Sequence, residues 1–135
     1  MFWKHTRWAF FWALLIAILC GIPGRDIPHI SFLEMLAFDK WVHAGVFFVL
    51  VILLARGLII QNKFAFARKH GKLIALSCCV VYGGILELLQ GAIFVERSAD
   101  IYDFIANSFG AVSAFLLFNF LVAKIRFLHL NSNHG

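Results

Sequence analysis

The chain has 135 residues, of which 62% are hydrophobic and only 14% are charged, with a net charge of +5. Ordinary soluble domains contain about 25% charged and roughly 45–50% apolar residues. A soluble domain of this size buries only about two-thirds of its surface, so it would leave much of this apolar material in water. The composition therefore excludes a soluble enzyme, a disordered chain and a collagen-like rod, and it indicates a membrane protein.

The positive charge has a membrane interpretation as well. An excess of Lys and Arg in a membrane protein reports its orientation and its contact with anionic headgroups, so we expect membrane lipids and no nucleic acid as partners. The cysteines Cys20, Cys78 and Cys79 lie in apolar segments, and their odd number argues against a disulfide framework. We expect no cofactor.

Four apolar segments form one predicted domain, 1–135, with spans at about 8–22, 41–60, 73–95 and 101–123. About 20 helical residues cross a hydrocarbon core of about 30 Å, so the last three segments are long enough. The first segment is shorter and also resembles a signal peptide, but no small-x-small cleavage site follows it. The predicted fold is therefore an all-α membrane protein, a bundle of four transmembrane helices.

The loops predict the orientation of this bundle. Only Arg25, Lys40 and Arg97 among the 12 Lys and Arg residues lie on one side, together with all seven Asp and Glu residues. The positive-inside rule then places both termini in the cytoplasm. In the outer loop at about 23–38, the capping-box spacing within 31–34 predicts a short interfacial helix.

Polar and ionisable side chains interrupt the predicted spans. Such a residue costs at least about 2.5–3.5 kcal/mol near the centre of a bilayer. Because the second and fourth segments enter from outside and the third exits there, these side chains converge in the outer half of the bundle. We predict a ligand-binding pocket there, with a purely structural network of caps and interhelical hydrogen bonds as the alternative. The predicted binding residues are Asp39, Lys40, His43, Glu87, Gln90, Arg97, Asp100, Asp103 and Asn107.

Small residues predict close helix packing beside this pocket. Ala106, Gly110 and Ala114 form a small-xxx-small stripe in the fourth segment, and Gly83 and Gly84 are adjacent in the third. Small residues let helix backbones approach each other in a membrane. The polar faces should therefore meet each other rather than lipid.

Taken in order, these residues form a recognisable pattern. It reads Asp39-Lys40-x-x-His43, Glu87-x-x-Gln90, Arg97, then Asp100-x-x-Asp103-x-x-x-Asn107-x-x-Gly110. The pattern resembles the VanZ-like family over about 39–114, more than half of the chain. That resemblance implies a small protein of the bacterial inner membrane with a cell-envelope role, since the founding member is linked to resistance to the glycopeptide teicoplanin. It implies no particular reaction.

Binding of a lipid-linked envelope precursor or another headgroup-bearing ligand is the first functional hypothesis. Lys40 and Arg97 would pair a phosphate or carboxylate of the ligand, for which arginine is well suited. Glu87, Asp103 and Asn107 would bind sugar hydroxyls or ammonium groups.

Two alternatives come from other functional classes. An intramembrane enzyme would use His43, Glu87 and Asp103 as its catalytic residues, and the same three are the candidates for a Zn or Mn site. The chain has no H-E-x-x-H or G-x-S-x-G motif, so we expect binding rather than catalysis and no resident metal. The other alternative is an accessory or structural subunit that contacts another membrane protein.

Arg97 carries the most specific expectation about geometry. It is the only Lys or Arg in the predicted outer turn between the third and fourth segments. An arginine that folds back onto a buried carboxylate offsets the cost of burying that charge. We therefore predict one connected network of Glu87, Arg97 and Asp103, which His43 reaches from the second segment.

Overall fold

The computed structural model describes residues 1–22, 32–93 and 99–125, with the backbone alone for 32–37. Within these ranges the chain is helical and contains no strand. The helices are α1 (Phe2–Cys20), α2 (Phe32–Ile60), α3 (Ala65–Lys69), α4 (Gly71–Ala92) and α5 (Ile101–Lys124). Arg97 lies outside the described residues, as does Ser31 of the predicted interfacial helix.

Three helices in the described ranges are long and apolar enough to cross a membrane, namely Phe38–Ile60 of α2 together with α4 and α5. The sequence predicts a fourth span at about 8–22, where the structure has α1. This helix has 19 residues, but its first two turns carry Lys4, His5 and Arg7, which lower its apolar character. The described part of the chain is thus helical with three candidate spanning helices, as a membrane protein would be, and a fourth span and the orientation stay predictions.

Two features of the helices differ from the predictions. α2 is one continuous helix of 29 residues, so the region 32–34 forms its first turn rather than a separate interfacial helix. The connection to α4 contains the short helix α3, which the sequence analysis did not predict. Gln61 organises its start, because its buried side chain bonds the backbone of Leu58 and Phe64 at 2.8–3.0 Å.

α2 is the central helix and packs against α1, α4 and α5. Phe47 and Val51 on this helix are fully buried, whereas Leu88 on α4 and Leu116 on α5 are 71% and 70% exposed. In a membrane protein such outward apolar side chains face lipid. The core therefore lies along α2, and its neighbours present apolar surfaces outward.

The predicted small residues occupy the contacts between helices. At Gly110 the backbones of α2 and α5 touch, since a Cβ atom there would lie 2.0 Å from the carbonyl oxygen of Ala44. Ala114 is fully buried, and Ala106 is half-buried. Gly83 lets α4 approach α2 and α5, since a Cβ atom there would lie 3.2 Å from the ring of Phe47 and 3.4 Å from Asn107. Gly84 faces the ring of Phe104 on α5, at 3.4 Å by the same measure.

α1 is attached to this core by polar side chains at three levels. The indole of Trp12 donates to the carbonyl of Val46 at 2.9 Å, and the Tyr82 hydroxyl donates to the carbonyl of Ala13 at 2.5 Å. Further along, the Gln90 amide donates to the carbonyl of Cys20 at 3.2 Å. Such interhelical hydrogen bonds stabilise helix pairs in lipid.

Candidate functional site

Polar side chains gather at one end of the bundle, where α5 and the apolar part of α2 begin and α4 ends. We call this group the polar cluster; it consists of Asp39, Lys40, His43, Glu87, Asp100, Asp103 and Asn107. Glu87, Asp103 and Asn107 are buried. Gln90 is also buried at this end, but its side chain bonds α1 instead. Every predicted binding residue except the undescribed Arg97 therefore lies at this end.

Lys40 is the centre of the cluster. Its ammonium donates to Asp100 at 2.8 Å and to Asp103, and it lies 3.7 Å from a carboxylate oxygen of Asp39. The helical register explains the position, because Lys40 is in the first turn of the apolar part of α2 and faces the first turn of α5. In this arrangement the ammonium is paired with the protein's own carboxylates. Its predicted pairing with a ligand phosphate would require it to leave them.

His43 lies one turn further along α2 and is 11% exposed. Its Nδ1 atom is 2.9 Å from the side-chain oxygen of Asn107. Because that amide oxygen only accepts hydrogen bonds, Nδ1 carries the proton and donates it. The other ring nitrogen, Nε2, lies 3.6 Å from Asp39 and 3.7 Å from Asp103. The imidazole is thus oriented by Asn107 so that Nε2 faces two carboxylates.

Glu87 and Asp100 connect the end of α4 to the start of α5. The carboxylate of Glu87 accepts a hydrogen bond from the backbone N–H of Asp100 at 3.1 Å. Asp100 in turn caps α5, because its side chain accepts from the N–H of Tyr102 at 2.8 Å. The hydrogen bond from Lys40 lowers the pKa of the Asp100 carboxyl below its ordinary value, so this group is ionised at neutral pH.

The network of Glu87, Arg97 and Asp103 stays a prediction, because Arg97 lies outside the described residues. Among the described residues, another route connects the two carboxylates. Glu87 reaches Asp103 through Asp100 and Lys40. The sequence predicts Lys40 as a partner for a ligand phosphate. Spacing within α2 carries no signal of the observed pairing, because Asp100 and Asp103 lie at the start of another helix.

One set of three side chains has the composition of a metal centre. Asp39, His43 and Asp103 each offer a ligand atom, and these atoms lie within 4.8 Å of one another. The sequence predicts no resident metal, with His43, Glu87 and Asp103 as the candidates for a metal site. In the described residues Asp39 takes the place of Glu87, because Asp39 precedes His43 by one turn on the same helix, whereas Glu87 points to the start of α5.

A cavity of about 440 Å³ opens beside the cluster, between α4 and α5. Its polar lining comes from Glu87 and Asp100, and the remaining lining residues are Gly84, Leu88, Ala99, Ile101 and Phe104. Leu88 and Ile101 are largely exposed, so this cavity joins the polar cluster to the lipid-facing surface.

Comparison of this chain with protein-family models, with curated proteins and with solved structures gives no match. The resemblance to the VanZ-like family therefore rests on the residues quoted above. All of them except Arg97 lie in the described ranges, and the acidic and basic ones among them contact one another through Lys40 and Asp100.

Proposed function

We propose that this protein is a VanZ-like protein of the bacterial inner membrane that binds a headgroup-bearing or lipid-linked envelope ligand at the polar cluster. The observation that carries the proposal is the cavity between α4 and α5, which Glu87 and Asp100 line together with apolar side chains. An amphiphile has a polar headgroup and an apolar chain, which match these polar and apolar lining residues. The volume of about 440 Å³ also lies within the range of roughly 300–1,000 Å³ that is usual for small-molecule sites.

The charges of the cluster indicate which part of a ligand it would hold. Four carboxylates of the described cluster, Asp39, Glu87, Asp100 and Asp103, accompany a single lysine. Ionised carboxylates only accept hydrogen bonds, so they favour groups that donate, such as sugar hydroxyls and ammonium groups. Lys40 is already engaged by Asp100 and Asp103. The proposed contact at this point is therefore with the hydroxyl or ammonium part of a headgroup.

Lipid that copurifies with the protein tests the proposal. The protein would be purified in a mild detergent from bacterial membranes, and bound lipids would be identified by native mass spectrometry. Glu87→Gln removes the negative charge of this side chain at nearly unchanged size, and Leu88→Trp fills the apolar side of the cavity. Leu116→Trp is the matched control, because Leu116 is as exposed as Leu88 but lies on α5 away from the cavity.

We expect wild-type protein and Leu116→Trp to retain the same lipid, while Glu87→Gln and Leu88→Trp lose it with an unchanged unfolding temperature. Retention of that lipid in both cavity variants, or its absence from the wild type, would refute the proposal.

A structural role is the second candidate, and a specific observation favours it. Lys40 connects α2 to α5 through Asp100 and Asp103, so the cluster also holds the bundle together. If Glu87→Gln and Asn107→Ala lower the unfolding temperature strongly and leave lipid binding per folded molecule unchanged, the cluster is structural. A cluster of that kind would suit an accessory subunit of a membrane complex.

A further inference from the structure

The side chains of Asp39, His43 and Asp103 are arranged much like the ligands around a bound metal ion. Nε2 of His43 lies 3.6 Å from Asp39 Oδ1 and 3.7 Å from Asp103 Oδ2. Nitrogen and oxygen ligands bind zinc at about 2.0–2.2 Å, so a tetrahedral ion holds neighbouring ligand atoms about 3.3–3.6 Å apart. The two distances from Nε2 are therefore already close to those between ligands of a bound ion, and the three ligand atoms all lie within 4.8 Å of one another.

The hydrogen bond between His43 and Asn107 is the second observation. Asn107, which is 2% exposed, accepts from Nδ1 at 2.9 Å, so in the neutral ring the lone pair is on Nε2, the nitrogen that faces two carboxylates. Metal-binding histidines characteristically donate their other ring N–H to an oxygen acceptor that fixes the orientation of the ring. Three electron-pair donors that face one another repel, and a cation between them turns this repulsion into coordination.

Lys40 contributes to the same arrangement. It binds Oδ1 of Asp103, and the second oxygen of that carboxylate is the one directed towards His43. The single charge of Lys40 is shared among the three carboxylates of Asp39, Asp100 and Asp103. The lysine therefore orients Asp103 without neutralising the group of carboxylates as a whole.

We propose that Asp39, His43 and Asp103 form a binding site for a divalent transition-metal ion, with Zn²⁺ as the expected occupant. One imidazole and two carboxylates suit this ion, and three protein ligands leave a fourth position for water or a ligand group. Asn107 acts as a positioning residue. The proposal does not depend on lipid binding at the neighbouring cavity, which Glu87 and Asp100 line.

The test uses full-length, tag-free protein in nanodiscs, stripped with a chelator. Zn²⁺ binding would be measured by isothermal titration calorimetry, and Co²⁺ would be added as a spectroscopic probe whose visible absorption reports tetrahedral coordination. We expect about one equivalent of Zn²⁺ per chain and a tetrahedral Co²⁺ spectrum that excess Zn²⁺ abolishes. His43→Ala should lose this site, and Asn107→Ala should weaken it about 10- to 100-fold. His70→Ala is the matched control, because His70 lies beside α3 at the opposite end of the bundle and should leave binding unchanged.

The wild-type protein alone can refute the proposal, even where a variant does not fold. Absence of stoichiometric Zn²⁺ binding would overturn it, and so would binding of equal affinity in folded His43→Ala and in wild type. A proton is the competing cation, and ¹⁵N NMR of labelled histidine distinguishes the two. If both ring nitrogens of His43 stay protonated at neutral pH with Zn²⁺ present, the proposal is wrong. A deprotonated, metal-shifted Nε2 supports it.

Discussion

The contact between α2 and α5 at Gly110 supports a quantitative prediction. In Gly110→Ala the added methyl carbon would lie 2.0 Å from the carbonyl oxygen of Ala44, and 2.7 Å and 2.8 Å from two further backbone atoms of that residue. These atoms belong to a helix and do not rotate away, so α2 and α5 must separate. Ordinary contacts begin near 3.4 Å, which requires a displacement of about 1.4 Å.

Such a displacement would loosen the packing of α2 against α5. Phe47 on α2 and Ala111 and Ala114 on α5 are fully buried, and His43 beside Ala44 would move away from Asn107. Overpacking alone typically costs about 1–3 kcal/mol. With the loss of a buried hydrogen bond of about 1 kcal/mol added, we expect a destabilisation of about 3 kcal/mol.

The matched control is Gly45→Ala on α2, next to Ala44, where an added Cβ meets nothing within 4 Å. Replacing an open helical glycine by alanine stabilises a helix by roughly 0.5–1 kcal/mol, so the control should unfold no earlier than wild type. Both variants would be unfolded in mixed micelles with increasing SDS, with tryptophan fluorescence as the signal. If Gly110→Ala is as stable as Gly45→Ala, the close approach of α2 and α5 is wrong.

Three further predictions follow from the cluster and from the charge distribution. Lys40→Met should lower the free energy of unfolding by about 2–3 kcal/mol in the same SDS assay, because it leaves the buried carboxylate of Asp103 without its cation. An unchanged free energy of unfolding would show that Asp103 has another partner. Since the pKa of Asp100 is lower in the folded state than its ordinary 3.8, its pairing with Lys40 stabilises the protein above that pH and is lost as the pH falls through the lower folded value. As the pH is lowered from about 5 to about 2, the unfolding temperature should therefore decrease more for wild type than for Asp100→Asn. Equal decreases in the two proteins would contradict the pairing. For orientation, a Glu96→Cys variant in a cysteine-free background should react with an impermeant thiol reagent in intact spheroplasts while Lys69→Cys should not, and the reverse pattern would place the termini outside.

Much of this architecture follows from the sequence because the bilayer restricts the choices. Apolar stretches of this length must be helical, since backbone polar groups in lipid have to be paired within the segment. The end of the bundle at which the ionisable residues collect also follows, because Asp39 is at the start of the apolar part of α2, Asp100 directly precedes α5, and α4 carries Glu87 close to its end. The stripe through Gly110 was likewise visible as a spacing of four residues.

The tertiary structure decided which of these residues are partners. Periodicity gives the face of a helix on which a residue lies, but not how far two helices are rotated and how closely they approach. Those two quantities direct Lys40 to Asp100 and Asp103, and they direct Gln90 to α1. They also place Asp103, rather than Glu87, beside Nε2 of His43, whereas Asp39 is there because it precedes His43 by one turn of α2. A partner within 3–4 Å depends on the contact distance between helices, and residues distant in sequence, such as Gly110 and Ala44, set that distance.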